Sequence, residues 1–331
     1  MSPLPSEAGS WVVLCGGSGG VKLAVGLAQL LGERLAAIVN TGDDFTHLGL
    51  YISPDVDTVL YSLAGVVNDD TGWGRRTETW SCMRALGELG GPTWFKLGDA
   101  DLATHLDRSW RLRAGERLTQ IGAHQAAALG VRARILPMSD DPVRTMLETD
   151  AGVLSFQEYF VRHQCRPVVR ATRFDGAGAA SPTRDVVDAL SARDLGGVII
   201  GPSNPWLSVD PILALPGMRE VMRASSAPIV AVSPIIGGKA VKGPTGKIMA
   251  ELGLPPDSRT VARHYEGLID GFVIDSADQT LQEDIQDMRL PVVVTNTLMR
   301  SLDDKVVLAR QCLAFCRRLS GKRPAGTRAS P

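Results

Sequence analysis

Residues 11–39 constrain the fold of this chain more than any other stretch. Trp11-Val-Val-Leu-Cys15 is an apolar run that stops abruptly at Gly16-Gly-Ser-Gly-Gly20. Val21, Leu23, Ala24, Leu27, Leu30 and Leu31 then recur at helical spacing up to Gly32, and Leu35-Ala-Ala-Ile-Val39 reads as a second strand. Strand, glycine turn, helix and strand in this order make a βαβ unit, and its parallel strands need cover on both faces. Further apolar strands are predicted over 133–138, 197–201, 228–233, 271–275 and 291–295, nearly all ending in a polar loop rich in Gly or Pro. The fold class expected is α/β: a Rossmann-like, doubly wound, mainly parallel sheet with a helical insertion and a small antiparallel extension.

The unit is expected to span residues 10–320, with a core over 10–57 and 130–320. A tryptophan-bearing helical insertion fills 58–130, and the alternating stretch 143–174 suggests antiparallel strands. Trp73, Trp80, Trp94 and Trp110 read first as core of the insertion, and second as a wall for a flat aromatic ligand. A flexible basic tail is expected over 321–331, continuing the basic run that begins at Arg317 and Arg318.

Composition narrows the function. With 35 basic and 36 acidic side chains the formal charge is −1, which argues against nucleic-acid and membrane-surface binding. No apolar run approaches the roughly 20 residues of a membrane span, and no signal peptide is visible. Five cysteines, odd in number and mostly isolated, fit a reducing compartment, so the expected location is cytoplasmic.

The candidate site lies where the strands end, since doubly wound sheets bind ligands there. Gly17, Ser18, Gly19 and Gly20 form a loop whose N–H groups can approach a phosphate at a helix N-terminus; a tight turn without ligand is the plain alternative. Asp43, Asp44, Asp55 and Asp57 place four carboxylates within fifteen residues, a set able to hold a hard divalent cation. Alternatively, Asp55 or Asp57 caps a helix over 58–66. Ser203 and Asn204, and Gly237, Gly238 and Lys239, belong to two later loops that can meet phosphate, ribose or base. Each loop also reads as ordinary turn chemistry. His47 follows the acidic loop as a candidate polar neighbour.

At these motifs the sequence resembles the 2-phospho-L-lactate transferase (CofD) family of coenzyme F-420 biosynthesis. The matching stretches are Gly16-Gly-Ser-Gly-Gly-Val-Lys-Leu23, Val39-Asn-Thr-Gly-Asp-Asp44, Ile52-Ser-Pro-Asp-Val-Asp-Thr-Val-Leu-Tyr61, Lys96-Leu-Gly-Asp-Ala-Asp-Leu-Ala-Thr-His105, Leu136-Pro-Met-Ser-Asp-Asp-Pro142, Gly201-Pro-Ser-Asn-Pro205 and Ser233-Pro-Ile-Ile-Gly237. They run in order along nearly the whole chain. The resemblance implies magnesium-dependent transfer of a phosphorylated three-carbon acid, of lactate, enolpyruvate or glycerate type. The acid passes from a guanosine-diphosphate-linked donor to the ribitol hydroxyl of the deazaflavin Fo, releasing GMP. It implies that Asp57 and Lys96 contact the deazaflavin, that the glycine loop and the Ser203-Asn204 and Gly237–Lys239 loops meet the guanine nucleotide, and that the protein is a homodimer.

From charge and position, Asp57 and Asp44 are the expected catalytic carboxylates, with Asp43 and Asp57 as magnesium ligands. Asp57→Asn is expected to fold normally and turn over poorly. Two other readings compete. A sister branch binds a nucleotide sugar as a regulator without catalysis, but it carries a Gly- and Ser-rich segment where this chain has Phe45-Thr-His-Leu-Gly-Leu-Tyr-Ile-Ser. A nicotinamide oxidoreductase is disfavoured by Lys22 at the third-glycine position and by Asn40 at the end of the second strand.

Overall fold

The computed structural model describes residues 9–320. Seven strands form the central sheet: β1 (Ser10–Cys15), β2 (Leu35–Val39), β3 (Arg134–Pro137), β4 (Leu195–Ile200), β5 (Ile229–Val232), β6 (Gly271–Asp275) and β7 (Val292–Thr295). Their order is β7-β6-β5-β4-β1-β2-β3, and every neighbouring pair is parallel. The order reverses between β1 and β4, which makes that crevice the place where a ligand is expected.

Successive β1 side chains point to opposite faces, and both faces are covered. Trp11, Val13 and Cys15 pack with Leu23 and Leu27 of α1 (Gly17–Leu31), Val59 and Leu60 of α2 (Pro54–Leu63), and Leu308 and Phe315 of the helix Leu302–Ser320. Val12 and Leu14 join the opposite core with Trp206, Ile212 and Met218. Cys312 and Cys316 are buried in the first of these cores, where they act as small apolar side chains.

The long connection from β2 to β3 carries the hairpin Phe45–His47 and Leu50–Ile52, then α2, α3 (Ser81–Glu88), α4 (Asp99–Arg113) and α5 (Leu118–Ala128). Helix α2 starts at Pro54, four residues before the expected helix, because proline fits the first helical position. Asp55 and Asp57 therefore lie inside its first turn.

The tryptophans of this connection are not its core. Trp80 and Trp110 are exposed, at 43% and 61%, and the separate apolar cluster of this connection is small: Ile52, Met83 and Leu97 with a few partners. So thin a layer has no room for indoles. The antiparallel extension is a three-stranded sheet of Arg144–Thr149, Gly152–Ser155 and Val169–Asp175. Tyr159 and Val161, expected in a strand, instead lie in a wide helical turn, Glu158–Arg162, that buries Tyr159. The tail expected over 321–331 lies outside the described residues; Arg317 and Arg318 belong to the helix Leu302–Ser320.

Candidate active site

A cleft of about 680 Å³ opens at the carboxyl ends of the strands. Its walls include Gly16–Gly19, Asp43, Asp55, Asp57, Lys96, Ser203, Asn204, Ser233 and Thr297, from loops following β1, β2, β4, β5 and β7. A hollow of equal volume lies at the other end of α1, near the starts of β2 and β3, among Gln29, Glu33, Arg34 and Arg132. It gathers none of the motif loops.

The loops after β1 and β4 touch backbone to backbone. A Cβ on Gly19 would sit 2.0 Å from the Pro202 carbonyl oxygen, and one on Gly20 would sit 2.3 Å from Ser203 Oγ. Only glycine permits that approach. Asn204 Oδ1 accepts from the amides of Trp206 (3.0 Å) and Leu207 (3.3 Å), which fixes the side chain. Its Nδ2 is buried with no partner in the protein, a donor available to a ligand oxygen.

The acidic residues divide into distinct roles. Asp55 caps a helix, but not its own: Oδ1 accepts from Gly17 N at 2.8 Å and Oδ2 from Asn40 Nδ2 at 2.9 Å. Its carboxylate thus already sits at the positive end of α1. Asp44 accepts from Ser53 Oγ at 2.7 Å and Tyr51 OH at 2.9 Å, and it does not line the cleft. Burial raises the Asp44 pKa to about 7 against those hydrogen bonds. Asp43 faces the cleft, and its Oδ1 is buried without a hydrogen-bond partner. Burial first, and then the charge of Asp55, push Asp43 well above the usual carboxylate range.

Asp57 is held by a residue the sequence reading missed. Its two oxygens form a bidentate pair with Arg108 of α4, one bond being Arg108 Nη1 to Oδ2 at 3.0 Å and the other running from Nη2 to Oδ1. Arg108 is completely buried; burial works against its charge, but Asp57 more than compensates and holds its pKa above the ordinary value. His105 lies between two carboxylates, Nδ1 at 3.6 Å from Asp57 Oδ2 and Nε2 at 3.3 Å from Asp101 Oδ1. The latter contact is too poorly aligned for a hydrogen bond. Asp101 Oδ1 accepts instead from Tyr61 OH at 2.7 Å.

Aromatic side chains flank this end of the cleft. Trp94 and Phe95 form one wall, packed edge-on with each other and with His47 behind them; Trp73 stands at the mouth, 49% exposed. Phe156 and Phe160, stacked at 5.4 Å, form another wall.

Of the residues singled out from sequence, Gly17, Ser18, Gly19, Asp43, Asp57, Lys96, Ser203 and Asn204 share the cleft. Gly20 lies behind it in the β1–β4 loop contact. Gly237, Gly238 and Lys239 do not line it. Gly237 and Gly238 form the turn of a small hairpin whose second strand begins at Lys239, anchored by Gly237 N donating to Asp278 Oδ1 at 3.1 Å, while Ile236 and Lys242 on either side reach the cleft. Asp99, in the Lys96-Leu-Gly-Asp motif, is a structural cap. Its carboxylate accepts from the amides of Ser81 and Cys82, both at 3.0 Å, at the start of α3.

A divalent cation fits what is present. Asp43 offers a free buried oxygen, Asp55 adds charge beside it, and both face the loop expected to hold a phosphate. Asp57 fits less well, since Arg108 takes both of its oxygens. Among the described residues no three His, Cys, Asp or Glu side chains group as a metal site, so phosphate and water would supply the remaining ligands, as is usual for magnesium. No helix among the described residues is long and apolar enough to cross a membrane.

Comparison with known proteins agrees with this architecture. A 2-phospho-L-lactate transferase from Methanococcoides burtonii is 40% identical over 305 residues, covering 92% of this chain and 98% of that protein. One from Methanopyrus kandleri is 41% identical, covering 93% and 98%. A phosphoenolpyruvate transferase from Kitasatospora aureofaciens is 39% identical, covering 92% and 97%. A crystal structure of a UPF0052-family protein from Bacillus halodurans shares the fold, with a TM-score of 0.58 at 16% identity, covering 92% of this chain and 99% of that one. The family profile described as 2-phospho-L-lactate transferase CofD matches residues 11–311, and the chain is a transferase that belongs to that family.

Proposed function

We propose that this protein moves a phosphorylated three-carbon acid from a guanosine-diphosphate-linked donor to the ribitol hydroxyl of the deazaflavin Fo, with magnesium, in coenzyme F-420 biosynthesis. The observation that carries the reading is the cleft itself. It brings the glycine loop, the unpartnered Asp43 oxygen and the clamped Asp57 together beside aromatic walls.

A bond forms between the ribitol oxygen and the phosphorus bearing the acid. The bond from that phosphorus to the bridging oxygen breaks, GMP leaves, and the hydroxyl proton passes to solvent water. Such a transfer needs positioning and charge neutralisation more than covalent help. Asp57, fixed in orientation by Arg108, accepts the hydrogen bond of the attacking hydroxyl and aims its oxygen. Lys96 and the aromatic walls hold the deazaflavin. The amides of the glycine loop, with Asn204 Nδ2, hold the phosphates and nucleotide. Asp43, with Asp55 beside it, would hold magnesium, which neutralises charge on the transferred phosphoryl group. Asp44, tied to Ser53 and Tyr51 outside the cleft, adds negative charge near Asp43 that a cation would neutralise. The protein acts in the cytoplasm as a homodimer.

Relatives named for lactate and for enolpyruvate match almost equally well, at 40% and 39% identity. The test is therefore mass spectrometry of Fo incubated with the protein, magnesium and each guanylated acid in turn. Growth of the Fo mass by one phospho-acid, with stoichiometric GMP, supports the reading. No adduct with any donor refutes it.

A further inference from the structure

We infer that Lys22 and Lys242 form a subsite for the carboxylate of the donor's three-carbon acid. The inference rests on the proposed use of the cleft by a guanylated donor, and it concerns a wall that the proposal leaves without a role.

Two lysines from separate elements line that part of the cleft, and a third, Lys305, lies near enough for its charge to act on Lys22. Lys22 projects from the first turns of α1, half-buried, and its Nζ donates to the Met299 carbonyl at 3.0 Å, which fixes its direction. Lys242 comes from the loop after the small hairpin and reaches the segment Thr71–Gly74; a Cβ on Gly72 would lie 3.7 Å from its Nζ. Lys305 approaches from the start of the helix Leu302–Ser320. Lys22 and Lys242 both line the cleft, and the latter is exposed.

Among the described residues, none of the three pairs with a carboxylate, whereas Lys247, a few residues on, pairs with Glu251. Gathering like charges without a counterion is unfavourable. Burial, then the charges of Lys242 and Lys305, accordingly lower the Lys22 pKa. A bound anion removes that repulsion.

The identity of the anion follows from matching charges. The donor carries two phosphates and one carboxylate. The glycine-loop amides, Asn204 and the cation expected at Asp43 already answer the phosphates. Lys96, the remaining lysine of the cleft, stands on the acceptor side beside Trp94 and Phe95. That leaves the carboxylate for Lys22 and Lys242, compact cations suited to a single small anion. A subsite of this kind reads the acid rather than the nucleotide.

The test is calorimetric titration of the full chain, wild type and Lys22→Met and Lys242→Met variants, with two probes: GDP, and GDP esterified with lactate on its terminal phosphate. Each substitution should weaken the lactate-bearing probe about 10- to 100-fold, the usual worth of a hydrogen bond to a charged group, and change GDP affinity little. Lys242 is exposed, so its variant folds whatever becomes of Lys22. Equal losses for both probes would assign the lysines to the phosphates and overturn the inference, as would no loss for either. A wild-type protein that binds neither probe overturns the donor reading and the subsite with it.

Discussion

Asp57→Asn separates positioning from stability in a way the sequence alone did not foresee. Asp57 is 4% exposed and Arg108 is fully buried, so each is the other's solvent. Asparagine keeps the shape and one acceptor oxygen, but it turns an amide donor toward a guanidinium that has only donors. The Arg108 charge then stays in the interior without its bidentate partner, and Arg108 Nε has no partner to begin with. Removing one member of a buried ion pair commonly costs about 3–5 kcal/mol. At about 2.1 cal/mol/K of unfolding entropy per residue, a chain of 331 residues loses about 4–7 °C in melting temperature.

Calorimetry at neutral pH, with urea unfolding as a second measure, reads this directly. Turnover must be assayed well below the lowered melting point. There the variant should still lose about 10²–10³-fold, as expected when a group that positions the transition state is removed. The double variant Asp57→Leu/Arg108→Met replaces the pair by apolar side chains and should regain most of the lost stability while staying inactive. A melting point for Asp57→Asn within a degree of wild type would refute the claim that Arg108 depends on Asp57. So would a double variant no more stable than the single one.

Three shorter predictions concern other parts of the site. Gly19→Ala should destabilise the protein and abolish turnover, because its methyl would meet the Pro202 carbonyl at 2.0 Å; a well-folded, active variant would show that the two loops can part. Lys96→Ala should raise the Fo concentration needed for half-maximal rate and leave donor affinity unchanged, and equal changes in both would make the lysine structural. Asp99 has its pKa lowered by hydrogen bonds from Thr79, Cys82 and Ser81. Its stabilisation is therefore present above its unfolded pKa and lost as pH falls through the lowered folded value. The gap in melting temperature between wild type and Asp99→Asn should close as pH falls below about 4, and a gap that persists there would point to a packing effect instead.

The sheet was legible because a parallel strand is buried on both faces and reads as an unbroken apolar run. Five strands predicted at 133–138, 197–201, 228–233, 271–275 and 291–295 all exist, with ends displaced by no more than two residues. The loops at their carboxyl ends were legible for the same reason, since apolar runs stop sharply at Gly16, Gly201 and Ser233. Less legible was which loop residues face the ligand. Gly237, Gly238 and Lys239 resemble a phosphate loop in composition, yet Asp278, 41 positions later, ties Gly237 into a hairpin turn. Asp55 and Asp99 likewise sit in the first turns of α2 and α4, but they cap α1 and α3. A cap that acts between helices leaves no local spacing to read.

Helix α4 shows most plainly why part of the proposed acceptor side was missed. Its buried residues include Asp101, His105 and Arg108, at i, i+4 and i+7, which is the spacing of a core-facing stripe. Its exposed face carries Leu106 at 54% and Trp110 at 61%. The helix is amphipathic with its sign reversed, because the surface it covers is polar: Asp57, Tyr61 and Tyr51 rather than a hydrocarbon core. Apolar periodicity would turn such a helix half a turn about its axis, placing Trp110 inside and Arg108 in water. The signal that corrects it is the ionisable stripe itself, three titratable side chains at helical spacing five residues after Lys96, in a chain where another buried carboxylate needs a partner. A stripe of that kind is costly to bury unless its members answer one another. Here Arg108 answers Asp57, and Tyr61 answers Asp101. The buried polar face of α4 is therefore what holds the proposed catalytic carboxylate in one orientation at the wall of the cleft.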